Sequence, residues 1–193
     1  MKIIRFLKSA YEAVKDPNRD FDERIFLVLS FYSELLVLIA LIGDVAIKEN
    51  PYEMIVITAT LIFVPIMALV GLYFNRLKAV VKITVVCLVF IIVPGLFFFG
   101  GGVKGGGVLW IIFAFMYIGL VLHGTWRNVM FIILAGLTMV FYYVGYRYPW
   151  WVYRHSDRVF LYDSFISLIL VGALCFLMNW SYGRLFQIGR AHV

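Results

Sequence analysis

The chain predicts an all-α fold: a polytopic membrane protein, a six-transmembrane helix bundle with an N-terminal amphipathic helix. Three observations predict it. Of the 193 residues, 64% are hydrophobic and 15% charged, with a mean hydropathy of +0.96, whereas soluble domains hold about 45–50% apolar and about 25% charged residues. The apolar residues fall into six runs, each at or near the ~20 residues a helix needs to cross a hydrocarbon core about 30 Å thick. The runs are continuous and do not alternate, so they suit helices, which satisfy their own backbone in lipid, and not barrel strands.

The elements follow in order. Ile3, Ile4, Leu7, Tyr11 and Val14 recur at helical spacing, with Lys2, Arg5, Lys8, Glu12 and Lys15 away from them, which predicts a helix lying on a membrane surface. Asp16-Pro17-Asn18 ends it. This segment is too short and too charged for a signal peptide, and no small-residue cleavage site precedes the first span, so that span is expected to stay as an anchor. Residues 1–24 are thus read as a cytoplasmic amphipathic arm and 25–187 as a six-helix membrane domain. Spans are expected over 25–47, 54–74, 79–99, 108–123, 129–146 and 161–182. The fourth is short, and is expected to thin the bilayer or to extend into its flanking glycines. Pro65 and Pro94 sit inside spans, where they should kink or loosen the helix.

Orientation follows the basic residues, because short loops rich in Lys and Arg stay in the cytoplasm. Eleven lie on the side of the N-terminus: six in the arm, then Arg76, Lys78, Lys82, Arg127 and Arg184. Five lie on the other: Lys48, Lys104, Arg147, Arg154 and Arg158. Both termini are therefore expected in the cytoplasm. The net charge of +6 is then a topology signal and an attraction to anionic lipid headgroups. No nucleic-acid partner is expected, because no basic patch is interleaved with exposed aromatics.

Catalytic and metal chemistry is not signalled. Cys87 and Cys175 lie within spans as small apolar side chains, which argues against a disulfide or a metal site. The chain has no Gly-x-Ser-x-Gly, His-Glu-x-x-His or Cys-x-x-Cys pattern. No cofactor is expected. His123 closes a helix on the cytoplasmic side, too far from any acid pair at depth for an intramembrane protease.

Three features carry functional expectation instead. The third span ends in Pro94-Gly95-Leu96-Phe97-Phe98-Phe99 and continues as Gly100 to Gly107 around Val103 and Lys104, with Trp110 beyond. This is either a hairpin between helices with Trp110 as an interface anchor or a loop exposing backbone amides. A phosphate loop would need Ser or Thr beside the lysine, so a nucleotide site is rejected. The fifth connection, from Tyr146 through Arg147, Tyr148, Pro149, Trp150, Trp151, Val152, Tyr153, Arg154, His155, Ser156 and Asp157 to Arg158, combines stacking faces, guanidiniums and an imidazole. It is either an interfacial aromatic belt or, with the glycine loop, a pocket for a small extracytoplasmic ligand. Glu34 is the carboxylate well inside a span. It is a hydrogen-bonded structural acid or a signalling or proton-linked group, since charge at that depth is costly. Lys82, about a turn into the third span, is its uncertain partner. Asp44 and Asp163, near outer boundaries, are expected to be solvated or capping, and Asn179 to hydrogen-bond between helices.

The last six residues, Ile188-Gly189-Arg190-Ala191-His192-Val193, break off polar after an apolar span and match one frame of a short-read library adapter, with Gln187 completing it. They are read as a non-native scar and left out of fold reasoning, with the natural continuation expected beyond Gln187. A genomic stop codon directly after Val193 would defeat that expectation.

Ser33-Glu34-Leu35-Leu36 through Ile42-Gly43-Asp44 and Glu49-Asn50-Pro51, the Pro94 to Trp110 segment, and Tyr146-Arg147-Tyr148-Pro149 with His155 and Tyr162-Asp163-Ser164 resemble the six-helix amino-terminal region of bacterial membrane-bound sensor proteins. The resemblance covers roughly residues 20–187 and departs from the usual pattern at Trp150-Trp151 and Lys104. It implies that a signalling helix and an output domain follow, a histidine kinase core or a diguanylate cyclase, and that the parent works as a homodimer through that domain. The phosphoacceptor histidine, nucleotide-binding motifs and cyclase signature would all lie beyond Gln187. The expectation is therefore a sensory input module in the bacterial cytoplasmic membrane, with Trp110, Arg147, Trp151, Arg154, His155 and Arg158 forming the outer sensing surface and Glu34 an intramembrane relay. The rivals are a transporter or channel subunit with Glu34 as coupling acid, against which no internal repeat between the two halves is visible, and a purely structural anchor.

Overall fold

The structure, a computed structural model, describes residue 14, residues 19–47 and residues 50–190. The expected surface helix over 1–15, its stop at Asp16 to Asn18, Lys48, Glu49 and residues 191–193 lie outside these, apart from Val14. The described residues form helices with short connections and no strand: α1 Phe21–Ile47, α2 Pro51–Tyr73, α3 Leu77–Cys87, a wide turn Leu88–Ile92, α4 Val93–Phe99, α5 Gly107–Val121, α6 Gly124–Arg147 and α7 Asp157–Arg190. Five are long and apolar enough to cross a membrane, with α3, the wide turn and α4 counting as one rod over Leu77–Phe99. The fourth run, expected to be short, forms the 15-residue α5, about 22 Å at 1.5 Å per residue. Its flanking glycines do not lengthen it appreciably: Gly107 starts the helix and Gly102–Lys104 turn away as a 3-10 segment.

Boundaries follow local chemistry. Asn50 caps α2 by accepting from the Tyr52 N–H at 3.0 Å, with Pro51 at the first helical position, where its missing N–H costs nothing. Asn75 turns the chain between α2 and α3 at φ 52°, a conformation Asn tolerates better than most residues. The prolines differ. Pro65 lies within an uninterrupted α2, whereas Pro94 follows the π-helical turn Leu88–Ile92, where the Val93 N–H reaches back to the Leu88 carbonyl. A helix-interior proline clashes with the carbonyl four residues back. That carbonyl belongs to Phe90, inside the turn that widens.

The C-terminal segment departs from expectation. Ile188, Gly189 and Arg190 continue α7, because extending an existing helix adds a hydrogen bond per residue without a new nucleation cost.

The rods pack around a core that includes Phe26, Leu29, Phe97, Ile118, Leu134 and Leu174, all fully buried. Exposed residues on the same helices are also large and apolar, among them Ile42, Ile55, Ile62, Ile91, Ile132, Phe165 and Phe176. Such a shell suits hydrocarbon and not water. Cys87 and Cys175 remain free thiols. At the Phe21 end, Lys78 pairs with Asp20 and His123 Nδ1 lies 2.6 Å from Asp22. At the opposite end the rings of Phe97 and Phe98 lie 5.6 Å from that of Phe141, joining α4 to α6.

Phe97→Ala is expected to cost about 3 kcal/mol in unfolding free energy, the low end for a Phe truncation because the water-transfer part fades in lipid. Denaturant unfolding in detergent micelles measures this, and an unchanged midpoint would contradict the packing.

Candidate functional site

The end of the bundle opposite Phe21 gathers three connections that are far apart in sequence. Asn50 donates its side-chain amide to the Phe99 carbonyl at 3.1 Å, which joins the α1–α2 connection to the end of α4. The Tyr153 N–H donates to the Phe98 carbonyl at 2.9 Å, which brings in the α6–α7 connection. Asp163, in the second turn of α7, accepts the Gly106 N–H at 2.5 Å on one carboxylate oxygen and the Ser167 hydroxyl at 3.1 Å on the other. The glycine loop is thereby tied to all its neighbours.

Asp163 is 7% exposed, and Asp44 is also buried. Both were expected to be solvated or capping; neither is solvated, and Asp163 accepts from the N–H of Gly106, the residue that precedes α5. Glu53, Asn50 and Ser167 are buried with them. His155 Nε2 stands 3.8 Å from the Glu53 carboxylate, and both side chains are almost wholly covered.

Two of the loop's glycines stand directly against these polar side chains. Gly101 sits at φ 83°, and a Cβ there would overlap the His155 ring. At Gly106 a Cβ would collide with Asp163 and Ser167. The loop can approach these polar side chains closely because both positions lack side chains.

Beside this tie lies a groove of about 590 Å³, bordered by Gly101, Val103 and Lys104 of the loop, Tyr142, Gly145 and Tyr146 of α6, and Pro149, Val152, Arg154, His155 and Asp157 of the connection. Its volume falls within the ~300–1,000 Å³ of small-molecule sites. Lys104 and Arg154 face one carboxylate, Asp157, so the charge favours an anion, while Tyr142 and Tyr146 offer flat apolar faces.

The sequence-predicted residues divide. Arg154 and His155 line the groove. Arg147 and Arg158 are exposed outside its lining, Arg147 resting 5.4 Å from the centre of the Tyr148 ring. Trp151 is 64% exposed, with its ring 5.9 Å from that of Tyr148. Trp110 is not at this surface. It is 8% exposed, in edge contact with Phe113, and lines an internal cavity, because α5 is inserted among the other rods and buries both flanks. Lys104 and Tyr146 belong to the glycine loop and the connection that were expected to form a pocket, though neither was among the named sensing residues, and Tyr142 of α6 had not been singled out. Their one-dimensional signal was a lysine in a glycine run and an aromatic pair a helical turn apart.

Glu34 lines the same internal cavity as Trp110. Lys82 does not meet it: its ammonium stands 5.2 Å over the Trp126 ring, near the Phe21 end. Among the described residues, no group of three or more His, Cys, Asp or Glu is placed to hold a metal ion.

The described residues form an all-helical bundle with five rods long and apolar enough to cross a membrane, and a groove at one end where two cations face one carboxylate. Neither family models nor curated proteins nor solved structures match the chain.

Asp163→Ala strands the buried Gly106 N–H, with an expected cost of about 1–3 kcal/mol and faster amide hydrogen exchange in residues 100–107. Asp163→Asn keeps an acceptor oxygen and should cost less. Equal losses for both would show that the carboxylate does not hold the loop.

Proposed function

We propose that the chain is a membrane-embedded sensory input module of a bacterial signalling protein, and that the groove is where it meets its stimulus. One observation carries this: α7 begins at Asp157, on the rim of the groove, and runs unbroken past Gln187. Its stretch from Asp157 to Gln187 is about 46 Å at 1.5 Å per residue, well beyond the ~30 Å of a hydrocarbon core. A ligand that shifts Arg154, His155 or Asp157 therefore acts on one end of a rod whose other end leaves the membrane. Such transmission requires two packings that the ligand stabilises unequally.

In this scheme the chain crosses the cytoplasmic membrane six times, α5 included, with the glycine loop outside and both termini inside. The ligand is a small extracytoplasmic anion, and lipids are the remaining partners of the chain itself. Beyond Gln187 the signal passes to a dimeric output domain, a histidine kinase core or a diguanylate cyclase, as the resemblance implies. A transporter or channel subunit is the second possibility, favoured by Glu34, a carboxylate within a long apolar helix that lines a cavity between the rods.

Two measurements test the proposal. Cysteine labelling of tags on the two termini in intact cells should show both protected, and opposite exposure would break the wiring. In the complete protein, Arg154→Ala should reduce the output response to stimulus about tenfold or more, the equivalent of one charge-assisted hydrogen bond. An unchanged response would remove the groove from the mechanism.

A further inference from the structure

The cavity that Trp110 and Glu34 share lies between α1, α2, α3, the wide turn, α4 and α5, and encloses about 60 Å³. It follows α1 from Ser30 to Ala40, about 15 Å of helix axis, so it is a long, thin crevice. Its surface is almost wholly apolar, with Val37, Ile57, Val64, Leu88, Ile92 and Leu96 among its walls. Two of the hydroxyls along it, those of Ser33 and Thr60, donate to the carbonyls four residues back on their own helices, at 2.7 and 2.8 Å.

The crevice is not closed. Of its lining residues, Glu34 on α1 and Thr60 on α2 are half-buried and the others are buried, which puts the opening between these two rods. Along the same rods Phe31, Leu35, Leu38, Ile62 and Ile66 are exposed. The apolar wall inside is thus continuous with an apolar shell outside, and Glu34 is the one carboxylate in the lining.

Surface and shape together select the occupant. Apolar cavities stay dry, and a cavity known to take benzene measures about 150 Å³, more than this crevice offers. Water and compact ring ligands are both poor fits. Left empty, the walls would forfeit dispersion contacts on one side. In a bilayer the medium at the opening is hydrocarbon, and an acyl chain is itself long, thin and apolar.

We propose that the crevice seats one acyl chain of a membrane lipid. The chain enters between α1 and α2, past Glu34 and Thr60, and lies against Trp110 and against Leu88 and Ile92 of the wide turn. This rests on the rods standing in a bilayer, and on neither the groove nor an output domain. Through such a seat the bilayer touches the helix irregularity beside Pro94 and not only the outer faces of the rods.

The test reads tryptophan fluorescence of the whole chain in phosphatidylcholine vesicles whose acyl chains carry bromine, which quenches an indole at short range. Trp126→Phe, Trp150→Phe, Trp151→Phe and Trp180→Phe leave Trp110 as the remaining indole. Although only 8% exposed, it should be quenched. Val64→Phe and Ala40→Leu, which fill the crevice from α2 and α1, should each remove most of that quenching. Ile62→Phe, on the exposed side of α2, should leave it unchanged. An indole moved to the outer face, by Trp110→Phe with Ile132→Trp at a residue 71% exposed, reports separately whether the chain stands in the bilayer. Quenching there but none at Trp110, or Trp110 quenching indifferent to both filling variants, would overturn the seat alone. Quenching at neither position would overturn the bilayer reading and the seat with it.

Discussion

The glycine loop between α4 and α5 is held by a buried carboxylate, and the shape of the bundle end opposite Phe21 rests on that tie. Asp163 takes the Gly106 N–H with one oxygen and the Ser167 hydroxyl with the other. A buried backbone N–H without a partner is expensive, and a carboxylate is the strongest neutral-pH acceptor a side chain offers. Without that tie the loop would not lie against α7. Gly101 would then lose its place against His155, and the groove would lose the wall that carries Lys104.

The same constraint explains why polar residues collect at two levels and are sparse between. In hydrocarbon each polar group must find a partner inside the protein. Near the loops the partners are backbone groups released at helix ends, such as the Phe98 and Phe99 carbonyls. Away from the loops the helices satisfy their own backbone, and Glu34 lines a small cavity whose walls are mostly apolar. The wide turn Leu88–Ile92 borders that cavity, and its looser ladder is what Pro94 requires. A helix irregularity and a buried acid thus meet at one level of the bundle. That is where a change in packing would be least opposed by the hydrogen-bond ladder.

Much of the fold was legible in one dimension, because span length and continuous hydropathy report a solvent, the bilayer, more than a tertiary arrangement. The rods over 51–73, 77–99 and 124–147 lie within a few residues of the expected runs. The candidate site was legible only in part. Arg154 and His155 announced themselves by residue type in a dense connection, and both line the groove. Trp110 carried the same kind of signal and went the other way, because an aromatic near a span end reads alike whether its helix lies at the rim or between other helices. The burial of Asp44 and Asp163 was not legible for a related reason. Position along a span gives depth, but whether a loop folds over that depth depends on partners fifty or more residues away.

The sequence by itself determined the helical class and the approximate limits of the long apolar rods, and placed Glu34 within one of them, since each follows from hydropathy and length along the chain. Only the tertiary structure decided which side chains share a space. Lys104 borders the same groove as Arg154, Asp163 takes the Gly106 N–H, and Glu34 lines one cavity with Thr84 while Lys82 lies over Trp126. These pairings depend on how the rods rotate about their axes and which connection covers which end. Both are fixed by packing between distant segments, which no local pattern of residues encodes.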